Sequence, residues 1–236
     1  VDIVNDTWAG ADAALPEVAA VCRPDATDLP NAWLTDFPTG RQLTDAAASL
    51  SAAERLDPDS RLLRRFRCEY ELFKAVEAVH LLPRIRAFES VDRFLQVAQS
   101  ALQRRKARAG RSLELQLRYL FDEESIAYDH GQTTEDGKQP DFIFPSIAAY
   151  RSSPTPSPNV RMLGAKTTLK DRWRQVIDEA GKIPEKHLFT LAEGVSVQQY
   201  RQMARAVFAA APRVVGPTEQ RRVDRQGARH HAGAAG

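Results

Sequence analysis

Two stretches of the sequence indicate how this chain folds: PDFIFPS, residues 140–146, and GAKTTLKDRWRQVIDEAGK, residues 164–182. The first is typical of a short apolar strand preceded by Pro and Asp, and the second of a strand end followed by a helix. Between them, RSSPTPSPN (residues 151–159) is rich in Ser and Pro and predicts a loop. Because hairpin pairing joins strands linked by such a loop, we expect Asp141 and Lys166 to lie side by side.

Helical patterns fill the chain before these strands, and strands alternate with helices after them. Apolar residues recur at helical spacing, and Ser112 is a plausible N-cap for the last early helix. Helices followed by β, β, α, β, α predict an α/β fold with a mixed sheet flanked by helices. The predicted early helices cover residues 44–56, 60–85, 90–107 and 111–125; the later elements are a helix at 169–182, a strand at 187–191, a helix at 196–210 and a strand at 212–216.

Composition divides the chain into three parts. Residues 1–43 are rich in Ala, Pro and Asp and predict an arm or linker remnant, residues 44–216 form the predicted domain, and residues 217–236 predict a basic disordered tail. The first 60 residues carry eleven acidic against three basic side chains, whereas the remainder carries 20 against 30. We therefore expect an anionic partner to bind the later part of the chain.

Other bulk properties exclude several classes of protein. No run of 18 apolar residues is present, so we expect no membrane span. The start VDIVNDTWAG has no basic flank and no apolar core, so we expect no signal peptide. Cys22 and Cys68 are the only cysteines, which is too few for a disulfide framework or a zinc site and agrees with a reducing cytoplasm.

Asp141 and Lys166 are the first two groups of a candidate hydrolytic site. Phosphodiester hydrolysis needs a divalent metal, and a base or a cation beside the attacking water. Mg²⁺ usually takes one or two carboxylates together with phosphate and water oxygens. A second acid two residues before the Lys would share its face of the strand, but that position is Gly164. The strand alone therefore leaves the predicted site one carboxylate short.

The helix after the strand offers the missing carboxylate. Its buried face is predicted from apolar residues at i, i+3, i+4 and i+7, and Glu179 falls beside that face. Asp178 falls on the far side and is predicted to be solvated. Glu179 is therefore the candidate second metal ligand; the alternative is a surface Glu paired with Lys182 or Arg172. The residues of the buried face are Trp173, Val176, Ile177 and Ala180.

Four segments together resemble the C-terminal catalytic domain of EcoRII-type restriction endonucleases, a branch of the PD-(D/E)XK nucleases: GRSLELQLRYL (110–120), KQPDFIFPSIAAY (138–150), RMLGAKTTLKDRWRQVIDEAGKI (161–183) and HLFTLAEGVSVQQY (187–200). In that branch the metal-binding Glu has migrated onto the helix after the catalytic Lys. The resemblance implies a restriction-endonuclease-like fold, a Mg²⁺ cofactor, Asp141 and Glu179 as metal ligands and Lys166 as the catalytic lysine. Tyr150 and Lys170 stand where the family has a Tyr and a Lys at or near the site.

The resemblance also implies how DNA is read. Lys170, Asp171 and Arg172 follow the catalytic lysine, where the family enters the major groove and reads outer C and G pairs. This implies a double-stranded CCWGG-like site read by a homodimer, with the central base pair extruded. Asp171 has a second interpretation, as part of a helix-capping box that begins at Thr168. We expect no counterpart of the family's N-terminal effector domain in these residues, and residues after about 203 carry no persuasive match.

Two arginine clusters are candidate phosphate contacts. One contains Arg64 and Arg65, and the other contains Arg104 and Arg105. A solvated helix face is the alternative for each cluster. Glu114, near the apolar stripe of its helix, is a candidate for a second metal or an ordinary boundary residue.

The sequence thus predicts a type II restriction endonuclease domain, a bacterial cytoplasmic hydrolase. One alternative is a DNA-binding module that keeps the fold and has lost cleavage. Another is a repair or junction nuclease that prefers mismatched or branched DNA. The presence of Asp141, Lys166 and Glu179 argues against the inactive module. Digestion of an unmethylated plasmid distinguishes a restriction enzyme from a repair nuclease, because discrete bands mean sequence-specific cutting.

Overall fold

The computed structural model describes residues 22, 24, 28–51, 56–155, 157, 159–167, 173–191, 198 and 201–203. The strand predicted at 212–216 and the tail at 217–236 lie outside these residues. The helix predicted at 196–210 is described only at 198 and 201–203. The described helices are α1 (Asn31–Thr35), α2 (Gly40–Ser51), α3 (Pro58–Ile85), α4 (Val91–Glu123), α5 (Ile147–Ser152) and α6 (Trp173–Ile177), and the strands are β1 (Asp129–His130), β2 (Phe142–Phe144), β3 (Arg161–Lys166) and β4 (His187–Thr190).

The four strands form one mixed sheet in the order β1-β2-β3-β4. The strand β2 is antiparallel to both β1 and β3, with Phe142 opposite Leu163. The strand β4 is parallel to β3, with Lys166 opposite Thr190. The predicted hairpin and the predicted mixed sheet are therefore confirmed. The loop was predicted at residues 151–159, and α5, which the sequence did not predict, lies mostly before it and overlaps only its first two residues. The N-cap Ser146 of α5 accepts from the Ala149 N–H at 3.1 Å.

The sheet has a hydrophobic core on each face, because successive side chains of a strand point to opposite sides. Phe142 packs with residues of α3 and α4, including Leu62, Leu113 and Leu117. Its neighbour Ile143 packs with Tyr150 of α5 and with the α6 segment. The ring of Phe121 on α4 meets the rings of Phe142 and Phe144 edge to face, each at 5.2 Å between centroids. These contacts hold the long helices against one face of the sheet.

The helix α4 is continuous, whereas the sequence predicted two helices separated near Gly110. A glycine inside a helix costs only about 1 kcal/mol relative to Ala, which does not end a helix that packs along its length. Ser112 is therefore not a cap: its hydroxyl donates to the buried carboxylate of Glu69 on α3. Glu69 also accepts from Arg108 at 2.8 Å and from Gln116 at 3.2 Å. This network joins α3 to α4 through the interior.

The described part of the segment at 1–43, predicted as an arm, is helical and packed. Leu29, Trp33 and Leu43 are buried in a core with residues of α3. Cys22 and Cys68 are joined as a disulfide with 5.2 Å between their Cα atoms, whereas the cysteine count was interpreted as that of a protein with reduced thiols. Because 46 positions separate the two cysteines, only the packing of this segment along α3 brings them together. Among the described helices, none is both long and apolar enough to span a membrane.

Candidate active site

Asp141 and Lys166 meet at one edge of the sheet. Asp141 immediately precedes β2, and Lys166 is the last residue of β3, so antiparallel pairing places them together. Oδ2 of Asp141 accepts from Nζ of Lys166 and from the backbone N–H of Ala165, each at 2.7 Å. The two side chains are only 14% and 15% exposed. An acid and an amine, both held in place and both still partly accessible, therefore lie side by side as the hairpin predicted.

Glu179 lies beside this pair, but on a turn and not on a helix as predicted. The helix α6 ends at Ile177, and the N–H of Glu179 donates to the carbonyl of Val176 at 3.3 Å. The pKa of Glu179 is raised to about 7, mainly by burial. The Lys166 ammonium lowers this pKa, and the Asp141 carboxylate raises it. Asp178 is exposed, as the sequence predicted. The second carboxylate therefore interacts with both members of the first pair.

The carboxylate of Glu179 fits a hard cation. Its Oε2 atom is buried and has no hydrogen-bond partner among the described residues. A buried, unpartnered carboxylate oxygen is costly, and a bound cation would satisfy it. The described part of the chain contains no group of three or more His, Cys, Asp or Glu placed to hold a metal. Two carboxylates are nevertheless enough for Mg²⁺, which takes its other ligands from phosphate and water.

Tyr150 belongs to a second polar cluster, which supports the turn. It is only 2% exposed, and its hydroxyl donates to the Glu135 carboxylate at 2.5 Å and accepts from the Lys182 N–H at 3.3 Å. Burial, and then the Glu135 carboxylate, raise the pKa of Tyr150 to about 12. The hydroxyl is thus neutral near pH 7 and engaged within the protein. Through these contacts Tyr150, a residue of α5, supports the segment that carries Glu179.

Lys186 and Glu135 are two members of this region that the sequence did not single out. Lys186 is 4% exposed, and its Nζ donates to the carbonyls of Glu179 and Ala180. Burial lowers its pKa, although the carboxylates of Glu135 and Glu179 raise it. A lysine just before a strand carries no sequence signal of burial, since lysine is rarely buried. Glu135 was missed for a similar reason, because TTEDGK (residues 133–138) indicated only a turn.

The predicted base-reading residues Lys170, Asp171 and Arg172 lie outside the described residues. Their assignment to the major groove stays a prediction from the sequence. The strand β3 ends at Lys166, and α6 begins at Trp173, directly after Arg172. The stretch is therefore close to Lys166 along the chain.

The four candidate phosphate-binding arginines differ in their contacts. Arg65 is 4% exposed and donates to both carboxylate oxygens of Glu123, at 2.8 and 2.5 Å. Arg105 donates through Nε to both oxygens of Glu77, at 3.0 and 2.9 Å. Both of these guanidinium groups join α3 to α4. Arg64 is partly buried, whereas Arg104 is exposed and stacks over Phe37 with 4.6 Å from its guanidinium carbon to the ring centroid.

Glu114 has a specific partner that the sequence did not reveal. Its Oε2 atom lies 2.9 Å from Nε2 of His130, and both side chains are about 30% exposed. His130 is in β1 and pairs with Phe142 of β2. Glu114 therefore links α4 to the edge strand.

This chain is similar to a described protein family and, over part of their length, to two curated proteins. A family model described as EcoRII C terminal matches residues 73–225. Over 177 residues the chain is 51% identical to the type II restriction enzyme EcoRII of Escherichia coli, a match that covers 74% of this chain and 44% of the relative. It is 32% identical over 110 residues to the type II restriction enzyme SsoII of Shigella sonnei, covering 42% of this chain and 35% of the relative. The chain thus spans less than half the length of these curated relatives.

Two solved structures share the fold. A complex of the restriction endonuclease PspGI with substrate DNA superposes with a TM-score of 0.62 at 17% identity, covering 75% of this chain and 76% of that chain. Metal-depleted Ecl18kI in complex with uncleaved, modified DNA gives a TM-score of 0.60 at 22% identity, covering 73% and 68%. The mixed sheet with flanking helices is the restriction-endonuclease-like fold. On the family match over residues 73–225, this chain belongs to the family described as EcoRII C terminal.

Proposed function

We propose that this chain is the catalytic domain of a site-specific endonuclease that hydrolyses double-stranded DNA with Mg²⁺. The observation that carries the proposal is the grouping of Asp141, Lys166 and Glu179. One carboxylate is hydrogen bonded to the lysine at 2.7 Å, and the other keeps a buried oxygen without a partner. Membership of the EcoRII C-terminal family supports the same activity.

Asp141 and Glu179 would hold the cation. When bound, Mg²⁺ offsets negative charge on the phosphate and lowers the pKa of a bound water. Lys166 places a positive charge beside Asp141, where it can donate a hydrogen bond to a phosphate oxygen or orient the attacking water. The N–H of Ala165 fixes Asp141 at the same time. The protein therefore supplies two acceptors for a cation and one donor for the anionic substrate.

We further propose a CCWGG-like recognition sequence. The resemblance places Lys170, Asp171 and Arg172 in the major groove, where Lys or Arg donates to guanine and Asp accepts from cytosine. Because the outer pairs of such a site are related by a two-fold axis, two copies of the chain would each read one half. The relatives are bacterial enzymes, and we place this protein in the bacterial cytoplasm, where it meets DNA.

Digestion of an unmethylated plasmid that contains CCWGG sites tests the proposal. Purified full chain with Mg²⁺ should give discrete fragments whose ends map to these sites, and chelation by EDTA should abolish cutting. Lys166→Ala should bind the same duplex and leave it intact. A matched plasmid with the outer C:G pairs replaced should survive. Site-specific binding without cutting would identify an inactive module, and preferential cutting of branched or mismatched DNA would identify a repair nuclease.

A further inference from the structure

Lys186 is a buried ammonium group close to the proposed metal-binding carboxylate. It directly precedes β4 and is only 4% exposed. Its Nζ donates to the carbonyl of Ala180 at 2.7 Å and to the carbonyl of Glu179. A buried charge is unfavourable unless its hydrogen-bonding capacity is used. Here that capacity is used on two successive carbonyls of a single turn.

The turn that accepts these hydrogen bonds has an unfavourable backbone conformation. Ala180 has φ of 49°, in the left-handed region that residues other than glycine seldom adopt. Such a conformation persists only where surrounding contacts impose it. The carbonyl of Ala180 accepts from the Ile183 N–H at 2.9 Å as well as from Lys186. Lys186 is therefore one of two donors that hold the turn at this residue.

The position of the Glu179 carboxylate depends on this turn. Its Oε2 atom has no hydrogen-bond partner among the described residues, so no hydrogen bond to that atom fixes its position. Glu179 directly precedes Ala180, whose backbone is in the left-handed conformation. A change in the turn would therefore move the carboxylate relative to Asp141 and Lys166, and a metal site tolerates only small displacements of its ligands.

We propose that Lys186 is a positioning residue, which sets the Glu179 carboxylate for metal binding by holding the carbonyls of Glu179 and Ala180. The inference rests on the proposed function, since it concerns the same site. Lys186 acts through the backbone of Glu179 and does not touch the substrate. Its loss should therefore weaken metal binding while DNA binding without metal remains.

Lys182 provides a matched control in the same segment. Its Nζ donates to the carbonyl of Arg151 at 3.0 Å and to those of Tyr150 and Ser153 at 3.4 Å each. These carbonyls lie at the end of α5. The two lysines therefore make the same kind of contact four positions apart, and only Lys186 contacts the turn at Glu179.

The test measures metal affinity directly as well as cleavage. Mn²⁺ is titrated into the complex of full-length chain and specific duplex by calorimetry, and cleavage rates are measured over a range of Mg²⁺ concentrations. Lys186→Met should weaken Mn²⁺ binding and raise the half-maximal Mg²⁺ concentration by about 10- to 100-fold, as loss of a supporting contact does at other metal sites. Affinity for the duplex without metal should stay within about twofold. Lys182→Met should leave the Mn²⁺ affinity unchanged.

Two further variants keep the test decisive where Lys186→Met does not fold. Lys186→Arg keeps charged donors and should restore most of the Mn²⁺ affinity, whereas Lys186→Gln should restore less. Thermal unfolding without metal confirms that each variant is folded at the assay temperature. Equal Mn²⁺ affinity in the wild type and Lys186→Gln would overturn the inference, as would an equal loss in Lys182→Met.

The outcomes separate this inference from the proposed function. A wild-type chain that binds no Mn²⁺ and cuts no DNA would overturn both. A wild type that binds Mn²⁺ and cuts the site, with Lys186 variants that match it, would overturn the inference alone. Weakened Mn²⁺ binding in the Lys186 variants, with the Lys182 control unchanged, supports it.

Discussion

Gly164 on β3 lies directly against Val176 on α6. A Cβ atom added to Gly164 would lie 2.7 Å from Cγ2 and 2.9 Å from Cγ1 of Val176, closer than real contacts allow. Val176 is fully buried and its branched side chain is stiff, so it cannot move aside easily. The position two residues before Lys166 therefore has no space for a carboxylate. The packing of α6 on the sheet thus excludes a second carboxylate at position 164, and the candidate Glu179 lies on the turn that follows α6.

Substitution of Gly164 should be destabilising. Gly164→Ala should lower the free energy of unfolding by about 1–3 kcal/mol, because overpacking forces the core apart. Urea unfolding at constant m-value measures this change. Gly110→Ala is the control: an added Cβ there meets nothing within 4 Å, and Ala favours the helix by about 1 kcal/mol. If Gly164→Ala were as stable as the wild type, Val176 would not be the obstacle.

Loss of the Glu179 carboxylate should remove cleavage and keep DNA binding. Glu179→Ala should bind the specific duplex with wild-type affinity without metal and show no cutting in Mg²⁺, since one of two metal ligands is lost. Asp178→Ala changes an exposed neighbour and should cut at nearly the wild-type rate. Rates come from single-turnover cleavage and affinities from gel shift. Full cleavage by Glu179→Ala would remove Glu179 from the site and make Glu114 the next candidate.

The stability of the metal-free protein should depend on pH through Glu179. Its folded-state pKa of about 7 is above the ordinary 4.5, so the folded state holds the proton more tightly than the unfolded state. The resulting stabilisation is complete below about pH 4.5 and is lost as pH rises from about 4.5 to about 7. Glu179→Gln should flatten the decrease in thermal midpoint over this window. Asp178→Asn should leave it unchanged, and an equal decrease in wild type and Glu179→Gln would contradict the assignment.

The neighbouring residues Arg104 and Arg105 should have separate effects. Arg104→Ala should reduce the slope of log K against log[salt] for duplex binding by about one, because an exposed guanidinium that contacts phosphate displaces a counterion. Arg105→Ala should leave the slope unchanged and cost about 1–3 kcal/mol of stability, since Glu77, only 5% exposed, would lose its partner. Salt titration and urea unfolding of the two variants measure these effects. A reduced slope in Arg105→Ala would mean that Arg105 contacts DNA phosphate.

Local sequence patterns predict the hairpin and single out Asp141, Lys166 and Glu179 as candidate catalytic side chains. Short apolar strands around PDFIFPS and the strand before Lys166 are local patterns, and strand pairing then places Asp141 next to Lys166. Glu179 was selected by helical periodicity, although it lies on the turn beyond α6. Val176 and Ala180 are buried as the pattern predicted, and Glu179 is partly buried, whereas its role in the site stays a prediction.

Tertiary contacts, in contrast, establish which charged side chains are free to meet a ligand and which positions have room for a larger side chain. The pairing of Arg65 with Glu123 and of Arg105 with Glu77, the exclusion of a side chain at Gly164, the disulfide and the burial of Lys186 all require specific partners. Most of these partners are distant in the sequence. Hydrophobic periodicity predicts which side of a helix or strand is buried, but it does not identify the side chains that pack against that side. The energetic cost of burying a charge or adding a methyl group depends on those neighbouring atoms, so these roles follow from packing.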